Sequence, residues 1–450
     1  MVLRRKLIDP VHSKLKTKLQ QHPNLRKIFV NMGWLSFDRF FQLIVSFLVV
    51  LWVIRYLGPE QFGLLSYAGA LAGILGSFAG LGIGNVLFRD LVNHPKESNK
   101  LLGTAFFLQL GATIIAVLFS IGVAYLLSPN DLFLVLLVGV CSVPLVLNSV
   151  AVIDYWFQSK VISKYTVISR NVSMTLTAVI KVLMIIFAFP LIYFALISIL
   201  EGFLIVLFLV HFYNKNKQNI LAWRFDLSFA KIILFESWPL LLSAIATSIY
   251  MRISQVMIGQ MLSMTDVGIY SIAVKLSEFG NFIPGILVTS LLPSIILSKK
   301  TDGELFSSRF EKLYGLLIIL SVGLALFLTI FSSQIVYFLY GPGYSFASVV
   351  LVIYAWSIVP MFISIALSQY LVIQKLTLYS FYTTLIGAVS NILLNLLLIP
   401  SYGLIGAAIS TVIAYSIAVL SVFLFKETRK HGLSIISSFN IPKVLISLLK

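Results

Sequence analysis

The chain has 450 residues, of which 59% are hydrophobic and only 11% are charged, and its mean hydropathy is +1.00. This balance excludes a soluble globular domain and indicates an integral membrane protein, with continuous apolar runs that favour helices over a β-barrel. The net charge of +17 resembles that of a nucleic-acid-binding protein, but the basic residues gather in alternate loops, as membrane topology requires. We therefore expect no nucleic-acid partner. The single cysteine, Cys141, excludes an internal disulfide and a cysteine metal cluster.

Residues 1–27 carry eight Lys or Arg and no signal peptide, and they predict a cytoplasmic basic arm that is either disordered or helical on the membrane. Twelve apolar runs follow, each long enough to cross a bilayer as a helix of about 20 residues. The predicted spans are 29–54, 62–87, 101–127, 132–153, 166–188, 190–212, 232–258, 268–296, 313–338, 347–373, 379–399 and 403–425. The division between the fifth and sixth spans rests on Phe189-Pro190 alone.

The distribution of basic residues sets the predicted orientation. With the N-terminus in the cytoplasm, 28 of the 33 Lys and Arg fall in inner segments, one (Arg55) falls in an outer loop, and four fall inside spans. This asymmetry follows the positive-inside rule and places both termini in the cytoplasm. The tail 426–450 is too short and interrupted for a thirteenth span, although an interfacial helix is an alternative interpretation.

The opening unit of the chain recurs about 205 residues later. Gly63 opens the second span after a short outer turn, and Gly268 opens the eighth span in the same way. The longest inner linker, 214–231, separates two sets of six spans, so we predict six-helix bundles at 28–213 and 232–425. An even number of spans per half makes the repeats parallel, and two such bundles suit a transporter with a central cleft.

No nucleotide-binding, metalloprotease or serine-hydrolase motif is present, so the sequence predicts no enzyme, cofactor or metal. The strongest functional signal is a set of charged and amide side chains inside the spans, because a charge there is tolerated chiefly where it faces a wet cavity. The predicted substrate-binding residues are Arg39, Arg252, Lys275, Lys181, Gln42 and Gln255, and the residues predicted to balance charge or couple ions are Asp38, Glu278 and Glu201.

Several of these residues have a structural alternative. Lys275 and Glu278 have the spacing of an internal ion pair, and Lys181 is close enough to a span end to snorkel. Asn391 and Asn395, four residues apart, are typical of polar contacts between packed helices. Pro284 in the eighth span predicts a hinge or a static kink. Arg39 and Arg252 are the deepest cations and the best candidates to hold an anion, since guanidinium groups bind phosphate oxygens in a bidentate fork.

Four stretches resemble signatures of polysaccharide-transport flippases, the O-antigen and exopolysaccharide type of the MATE-like MOP superfamily. They are Arg55–Gly63, Val267–Ala273, Leu339–Gly341 and Ile399–Ala408, and they extend from the first span to the last. The resemblance implies twelve helices in two bundles around a V-shaped cleft. It also implies cavity cations for an anionic substrate, which by position suggests Arg39 and Arg252.

The function implied by the resemblance is the transfer of an undecaprenyl-diphosphate-linked oligosaccharide from the inner to the outer leaflet of the plasma membrane by alternating access. Membrane lipids, a polysaccharide polymerase and glycosyltransferases are the implied partners. A lipid II flippase, a cation-coupled multidrug antiporter of the same fold and a scaffold for polysaccharide synthesis are the alternatives. An antiporter for cationic drugs would favour an anionic cavity, whereas the set here is neutral to positive.

Overall fold

The computed structural model describes residues 23–301 and 303–440, and the regular elements in this part of the chain are all helices. Most of the predicted basic arm and the end of the tail lie outside these ranges. The α-helices are α1 (Pro23–Gly76), α2 (Gly84–Asn93), α3 (Ser98–Leu127), α4 (Leu132–Asn148), α5 (Val152–Ser159), α6 (Lys164–Ile186), α7 (Leu191–Lys215), α8 (Leu227–Met261), α9 (Met264–Glu278), α10 (Phe282–Thr301), α11 (Gly303–Ile330), α12 (Ser332–Tyr340), α13 (Ala347–Tyr354), α14 (Ile358–Ile373), α15 (Thr377–Leu420) and α16 (Lys426–Ser437).

These helices form two compact units. The first unit contains the described residues up to Val53 together with Ile83–Ile114 and Val143–Ser237. The second unit contains Ile54–Gly82, Ile115–Ser142 and the described residues from Trp238 onward. Residues from both sequence halves therefore meet within the second unit.

Ten helical segments among the described residues are long and apolar enough to cross a membrane. Two of them, Val30–Gly76 and Thr377–Leu424, have 47 and 48 residues and would each be about 70 Å long if straight, roughly twice the hydrocarbon thickness. Each is interrupted where the sequence predicts an outer turn, because Gly58 and Gly403 have φ values of 72° and 56°. The molecule is an all-α integral membrane protein, while the count of twelve spans and the orientation of the termini stay predictions.

Proline explains several breaks along the helices. The predicted division at Phe189-Pro190 is confirmed, since α6 ends at Ile186 and α7 begins at Leu191. A single 3₁₀ turn separates α9 from α10 four residues before Pro284, and another separates α13 from α14 four residues before Pro360. Proline has no N–H to donate and its ring collides with the carbonyl four residues earlier, so the α-helical ladder fails at these places.

Two predicted span boundaries are wrong. The predicted span 62–87 ends as a helix at Gly76, because a glycine-rich turn with positive φ at Gly82 follows and glycine disfavours helix by about 1 kcal/mol per residue. The predicted span 313–338 is shifted: α11 begins at Gly303, and a break at Phe331 separates it from α12. Hydropathy identifies only the apolar part of a helix. The polar residues before 313 are also good helix formers, so α11 begins before the apolar run does.

A buried polar network joins α8 to both limbs of α15 in the second unit. Asn395 donates hydrogen bonds to Asn391 Oδ1 and Ser254 Oγ, both at 3.0 Å, and Asn391 donates to the Tyr250 carbonyl at 3.3 Å. The Thr411 hydroxyl lies 3.3 Å from Ser254 Oγ. Asn391 and Asn395 are fully buried, so they act as the helix-packing contacts that the sequence offered as one interpretation.

The C-terminal helix α16 packs against α11 and α14 in the second unit. His431 is buried, stacks on the Tyr370 ring with centroids 3.3 Å apart, and lies 2.8 Å from the Tyr314 hydroxyl. Ser437 donates a hydrogen bond to the Glu311 carboxylate at 2.9 Å. Burial lowers the pKa of His431 from its usual 6.5 to about 3.

Lowering the pH is therefore expected to weaken the packing of α16. Because the folded pKa of His431 lies below the unfolded value, its neutral form contributes fully above about pH 6.5, and the contribution declines as the pH falls toward 3. The full shift corresponds to about 5 kcal/mol at most. After correction for the intrinsic pH dependence of amide exchange, the protection of α16 amides should fall between pH 7 and pH 5 in the wild type. In His431→Phe, which keeps a stacked ring, the protection should lose most of this pH dependence. An unchanged dependence in His431→Phe would contradict the assignment to His431.

Candidate functional site

The N-terminal limb of α1 places a buried carboxylate beside an exposed guanidinium in the first unit. Asp38 is 6% exposed and accepts a hydrogen bond from Gln42 Nε2 at 2.8 Å, one helical turn away. Arg39 is exposed, and no hydrogen bond or ion pair holds its guanidinium among the residues the structure describes. The chain thus keeps Asp38 inside the helix packing and leaves Arg39 available to an anion.

A second carboxylate, Asp154 on α5, organises the surroundings of Asp38. Its two oxygens accept hydrogen bonds from Thr166 at 2.6 Å and from Arg170 at 2.8 Å, both on α6. Arg170 and Asp154 are also near enough to Asp38 to interact with it electrostatically. The neighbouring Asn171 is buried, and its side chain lies near enough to the Asp38 carboxylate to hydrogen-bond with it. This polar network links α1, α5 and α6.

Lys181 and Glu201 connect α6 to α7. Lys181 Nζ lies 3.4 Å from Glu201 Oε2, and the Thr177 hydroxyl donates to the same oxygen at 3.1 Å. Both charged side chains are between a quarter and a third exposed, at 26% and 29%. The ion pair gives two residues of the predicted binding set a structural contact, and their predicted roles in substrate binding and charge balance remain predictions.

Replacing Lys181 with methionine is expected to destabilise the protein by about 1 to 2 kcal/mol, because Glu201 then keeps a partly buried charge without its partner. Exchanging the two charges (Lys181→Glu with Glu201→Lys) should recover most of the lost stability. Thermal unfolding of the detergent-solubilised protein measures this. If Lys181 serves only this ion pair, transport per folded Lys181→Met molecule should stay near the wild-type rate. A large transport defect in a stable Lys181→Met protein would instead support substrate contact.

Arg252 on α8 is the central cation of the second unit. It is exposed, and its side chain lies against Gly73 on the second limb of α1, where an added Cβ would come within 3.0 Å of Arg252 Nε. Ser248, one turn earlier, donates a hydrogen bond to the Gly73 carbonyl at 2.9 Å. Gly73 therefore permits a close helix approach that positions Arg252. No hydrogen bond or ion pair among the described residues occupies the guanidinium.

Lys275 and Glu278 on α9 complete this group of charges. Both are exposed, and each is near enough to Arg252 and to the other to interact electrostatically. Within residues 23–301 and 303–440 no ion pair joins them, and Lys275 Nζ instead lies 5.9 Å from the centre of the Phe62 ring. Two cations against one carboxylate make this cluster, the second-unit cation cluster, electropositive.

Gln255 joins the two helices that carry the second-unit cation cluster. Its amide nitrogen donates to the Ser271 hydroxyl at 2.9 Å, and the Gln255 side chain is half-buried. Polar residues of the predicted seventh and eighth spans therefore meet at this contact. Gln255 and Ser271 fix the relative register of α8 and α9, and so of Arg252 and Lys275.

Two equivalent positions of the sequence repeat meet within the second unit. A Cβ on Gly63 would overlap the carbonyl oxygen of Met264, and a Cβ on Gly268 would overlap the carbonyl oxygen of Pro59. Met264 precedes Gly268 by four residues, and Pro59 precedes Gly63 by four, so the contact is two-fold symmetric. Only glycine fits at either position, while the parallel arrangement of the repeats stays a prediction.

Further contacts hold the same turn to the end of α12. Arg55 donates from Nε to the Leu339 carbonyl at 2.6 Å and from Nη2 to the Phe338 carbonyl. The Tyr344 hydroxyl donates to the Ile54 carbonyl at 2.9 Å. A cation that binds the last carbonyls of a helix is favoured by the helix dipole. Arg55, the single basic residue predicted in an outer loop, thus has a structural role at this contact.

Sequence reasoning missed the network around Asp154 and an ion pair between Arg89 and Glu236. Arg89 Nη2 lies 2.6 Å from Glu236 Oε2 in the first unit, although 147 residues separate the two in the chain. Asp154 directly follows the predicted fourth span. An acid at the end of a membrane span is costly unless it is paired, so its position indicated that it needs a partner. The partner itself, Arg170, could not be found from spacing because the chain turns back between α5 and α6.

The fold is that of known transporters. An inward-facing multidrug resistance MATE family transporter of the MOP superfamily is 15% identical and matches with a TM-score of 0.68 over 90% of this chain and 99% of its own. The lipid II flippase MurJ in an inward closed conformation is 18% identical, with a TM-score of 0.63 over 92% of this chain and 95% of its own. These likenesses define the chain as a membrane protein with the MATE-like fold.

Sequence relatives identify the family. The model of the polysaccharide biosynthesis protein family matches residues 28–299, more than half of the chain, so this protein belongs to that family. The capsular polysaccharide biosynthesis protein CapF of Staphylococcus aureus is 21% identical over 88% of this chain and 98% of its own length. The probable low-salt glycan biosynthesis flippase Agl15 of Haloferax volcanii is 23% identical over 39% of this chain and 37% of its own length.

Proposed function

We propose that this protein is a flippase that moves an undecaprenyl-diphosphate-linked oligosaccharide from the inner to the outer leaflet of the plasma membrane. The polypeptide crosses the membrane twelve times with both termini in the cytoplasm, as two six-helix bundles joined by the linker 214–231. The family membership and the names of the relatives CapF and Agl15 support a role in polysaccharide export.

The observation that carries the proposal is the exposure of unpaired cations on helices of membrane-crossing composition. Arg39 in the first unit, and Arg252 and Lys275 in the second, are exposed without an ion-pair partner among the described residues. Charges in such helices are costly unless they meet water or an opposite charge. In this proposal Arg39, Arg252 and Lys275 each bind anionic groups of the lipid-linked substrate, while Asp38 and Glu278 balance the charge when the substrate is absent.

Reconstituted transport tests the function directly. The full-length protein is placed in liposomes that contain an undecaprenyl-diphosphate-linked oligosaccharide with a labelled sugar, and an impermeant glycosidase reports how much of the sugar has reached the outer leaflet. We expect transfer well above that of protein-free liposomes, and near-background transfer by a variant carrying both Arg39→Ala and Arg252→Ala. Equal rates with and without protein would contradict the proposal.

The same preparation separates the rival functions. Liposomes with lipid II test the activity named for MurJ, and uptake of a fluorescent cationic drug tests the activity of the MATE family. An electropositive cluster of two cations and one carboxylate favours an anionic substrate over a cationic drug. Drug uptake without oligosaccharide transfer would establish the antiporter instead, and faster transfer of lipid II would change the proposed substrate.

A further inference from the structure

The C-terminal helix α16 has two different faces. Thr428, His431, Gly432 and Ile435 are buried against the helices of the second unit. Their spacing of three and four residues defines one stripe of the helix, and the stacking of His431 on Tyr370 fixes its rotation. The opposite stripe therefore points away from the described helices of the second unit that hold α16.

The outward face combines apolar and basic side chains. Leu433 and Ile436 are 61% and 52% exposed, and Lys426, Arg429 and Lys430 are exposed on the same side. The acidic Glu427 is engaged by a hydrogen bond with Tyr379. An exposed pair of large aliphatic residues flanked by cations is the pattern of a helix that lies in a membrane interface.

The position of α16 along the chain determines what this face meets. The last segment of membrane-crossing composition runs through Leu424, and α16 begins at Lys426. A helix that starts two residues after a span, and whose inner face is held against other membrane helices, stays at the level of the lipid head groups. Leu424 itself is 68% exposed, which continues the apolar surface toward the acyl chains.

We propose that the outward face of α16 binds the surface of an anionic phospholipid bilayer. Leu433 and Ile436 enter the boundary between head groups and acyl chains, and Lys426 and Lys430 contact lipid phosphates, with their aliphatic stems along the apolar surface. The basic excess of this face favours anionic over zwitterionic lipids. The site is separate from the second-unit cation cluster and does not depend on which substrate the protein moves.

Depth measurements on the full-length protein test this proposal. In a Cys141→Ser background, a nitroxide label is attached to Leu433→Cys or Ile436→Cys, and to the exposed Ser228→Cys as an aqueous reference. The protein is placed in nanodiscs of phosphatidylcholine, alone or with one third phosphatidylglycerol. We expect both labels on α16 to be more accessible to oxygen than to a water-soluble nickel chelate. The fraction of labels immersed in the bilayer should be larger in nanodiscs that contain phosphatidylglycerol than in nanodiscs of phosphatidylcholine alone.

The lysines supply the second arm of the test. Lys426 and Lys430 are each replaced with glutamine to remove their charges. The increase in the membrane-immersed label population that phosphatidylglycerol produces should then fall by about fivefold per lysine. The buried face that carries His431 should stay packed. Labels at 433 and 436 as nickel-accessible as the label at 228 would overturn the proposal. Labels that are protected only in native membranes, and not in nanodiscs, would point to a protein partner and also overturn it.

Discussion

Replacing Arg252 with alanine is expected to lower the rate of oligosaccharide transfer by about 10- to 100-fold. A hydrogen bond to a charged group is worth roughly 1.5 to 3 kcal/mol, and every 1.4 kcal/mol corresponds to a factor of ten. Arg252 is the cation best placed to supply such bonds, because Gly73 and Ser248 hold its helix against α1 while the guanidinium itself is unpaired among the described residues.

Two variants make this prediction specific. Arg252→Lys keeps the charge but loses the bidentate geometry, so its transfer rate should fall between those of the wild type and Arg252→Ala. Arg224→Ala removes an exposed cation from the connection between α7 and α8 and should leave the rate unchanged. Membrane content and thermal unfolding of each variant are measured in parallel. Wild-type transfer by a well-folded Arg252→Ala protein would remove Arg252 from the proposed site.

Substituting alanine at Gly63 or Gly268 is expected to abolish most transport by a different route. Each added methyl group would overlap a backbone carbonyl across the symmetric contact, at Met264 or Pro59, and a backbone atom cannot move aside as a flexible side chain can. The two turns must therefore separate, which also strains the hydrogen bonds of Arg55 to α12. In the proposed alternating-access cycle, a wedge that keeps these two turns apart should trap one state.

Gly69→Ala is the matched control, because nothing lies within 4 Å of a Cβ at that position and alanine is the better helix former. It should keep normal transport and stability. A cysteine introduced at exposed Glu60, near the contact, should react faster with an impermeant thiol reagent in the Gly63→Ala protein than in the wild type. Normal transport by both Gly63→Ala and Gly268→Ala would show that the contact has no part in the cycle.

Much of this architecture follows from local features of the sequence. Apolar length identifies the membrane helices, and the turns at Gly58 and Gly403 are marked by Gly and Pro, which cannot continue an α-helix at low cost. The offset of about 205 residues between Gly63 and Gly268 predicts a sequence repeat, but it does not show that these two glycines pack against each other. The family resemblance, which rests on several turns and span ends together, is confirmed by the family model.

The partners of the polar side chains could not be predicted in the same way. Spacing places Asp38 and Gln42 on one face, but it cannot show that Asp154 and Arg170 lie beside them, because this depends on how α5 and α6 pack. Lys181 and Lys275 are both lysines inside predicted spans. Lys181 meets Glu201 across a helix contact, whereas Lys275 lies beside an aromatic ring and has no ion-pair partner among the described residues. Tertiary packing decides which charges are satisfied and which are available.

Cysteine accessibility tests the central claim that Arg39 and Arg252 face water and a phosphorylated lipid. In a Cys141→Ser background, Arg39→Cys and Arg252→Cys are each exposed to a membrane-impermeant sulfonated thiol reagent, with and without undecaprenyl diphosphate in the liposomes. The account predicts rapid labelling at both positions and marked protection by the lipid diphosphate. Labelling only by a lipid-soluble maleimide, or equal labelling with and without undecaprenyl diphosphate, would contradict it.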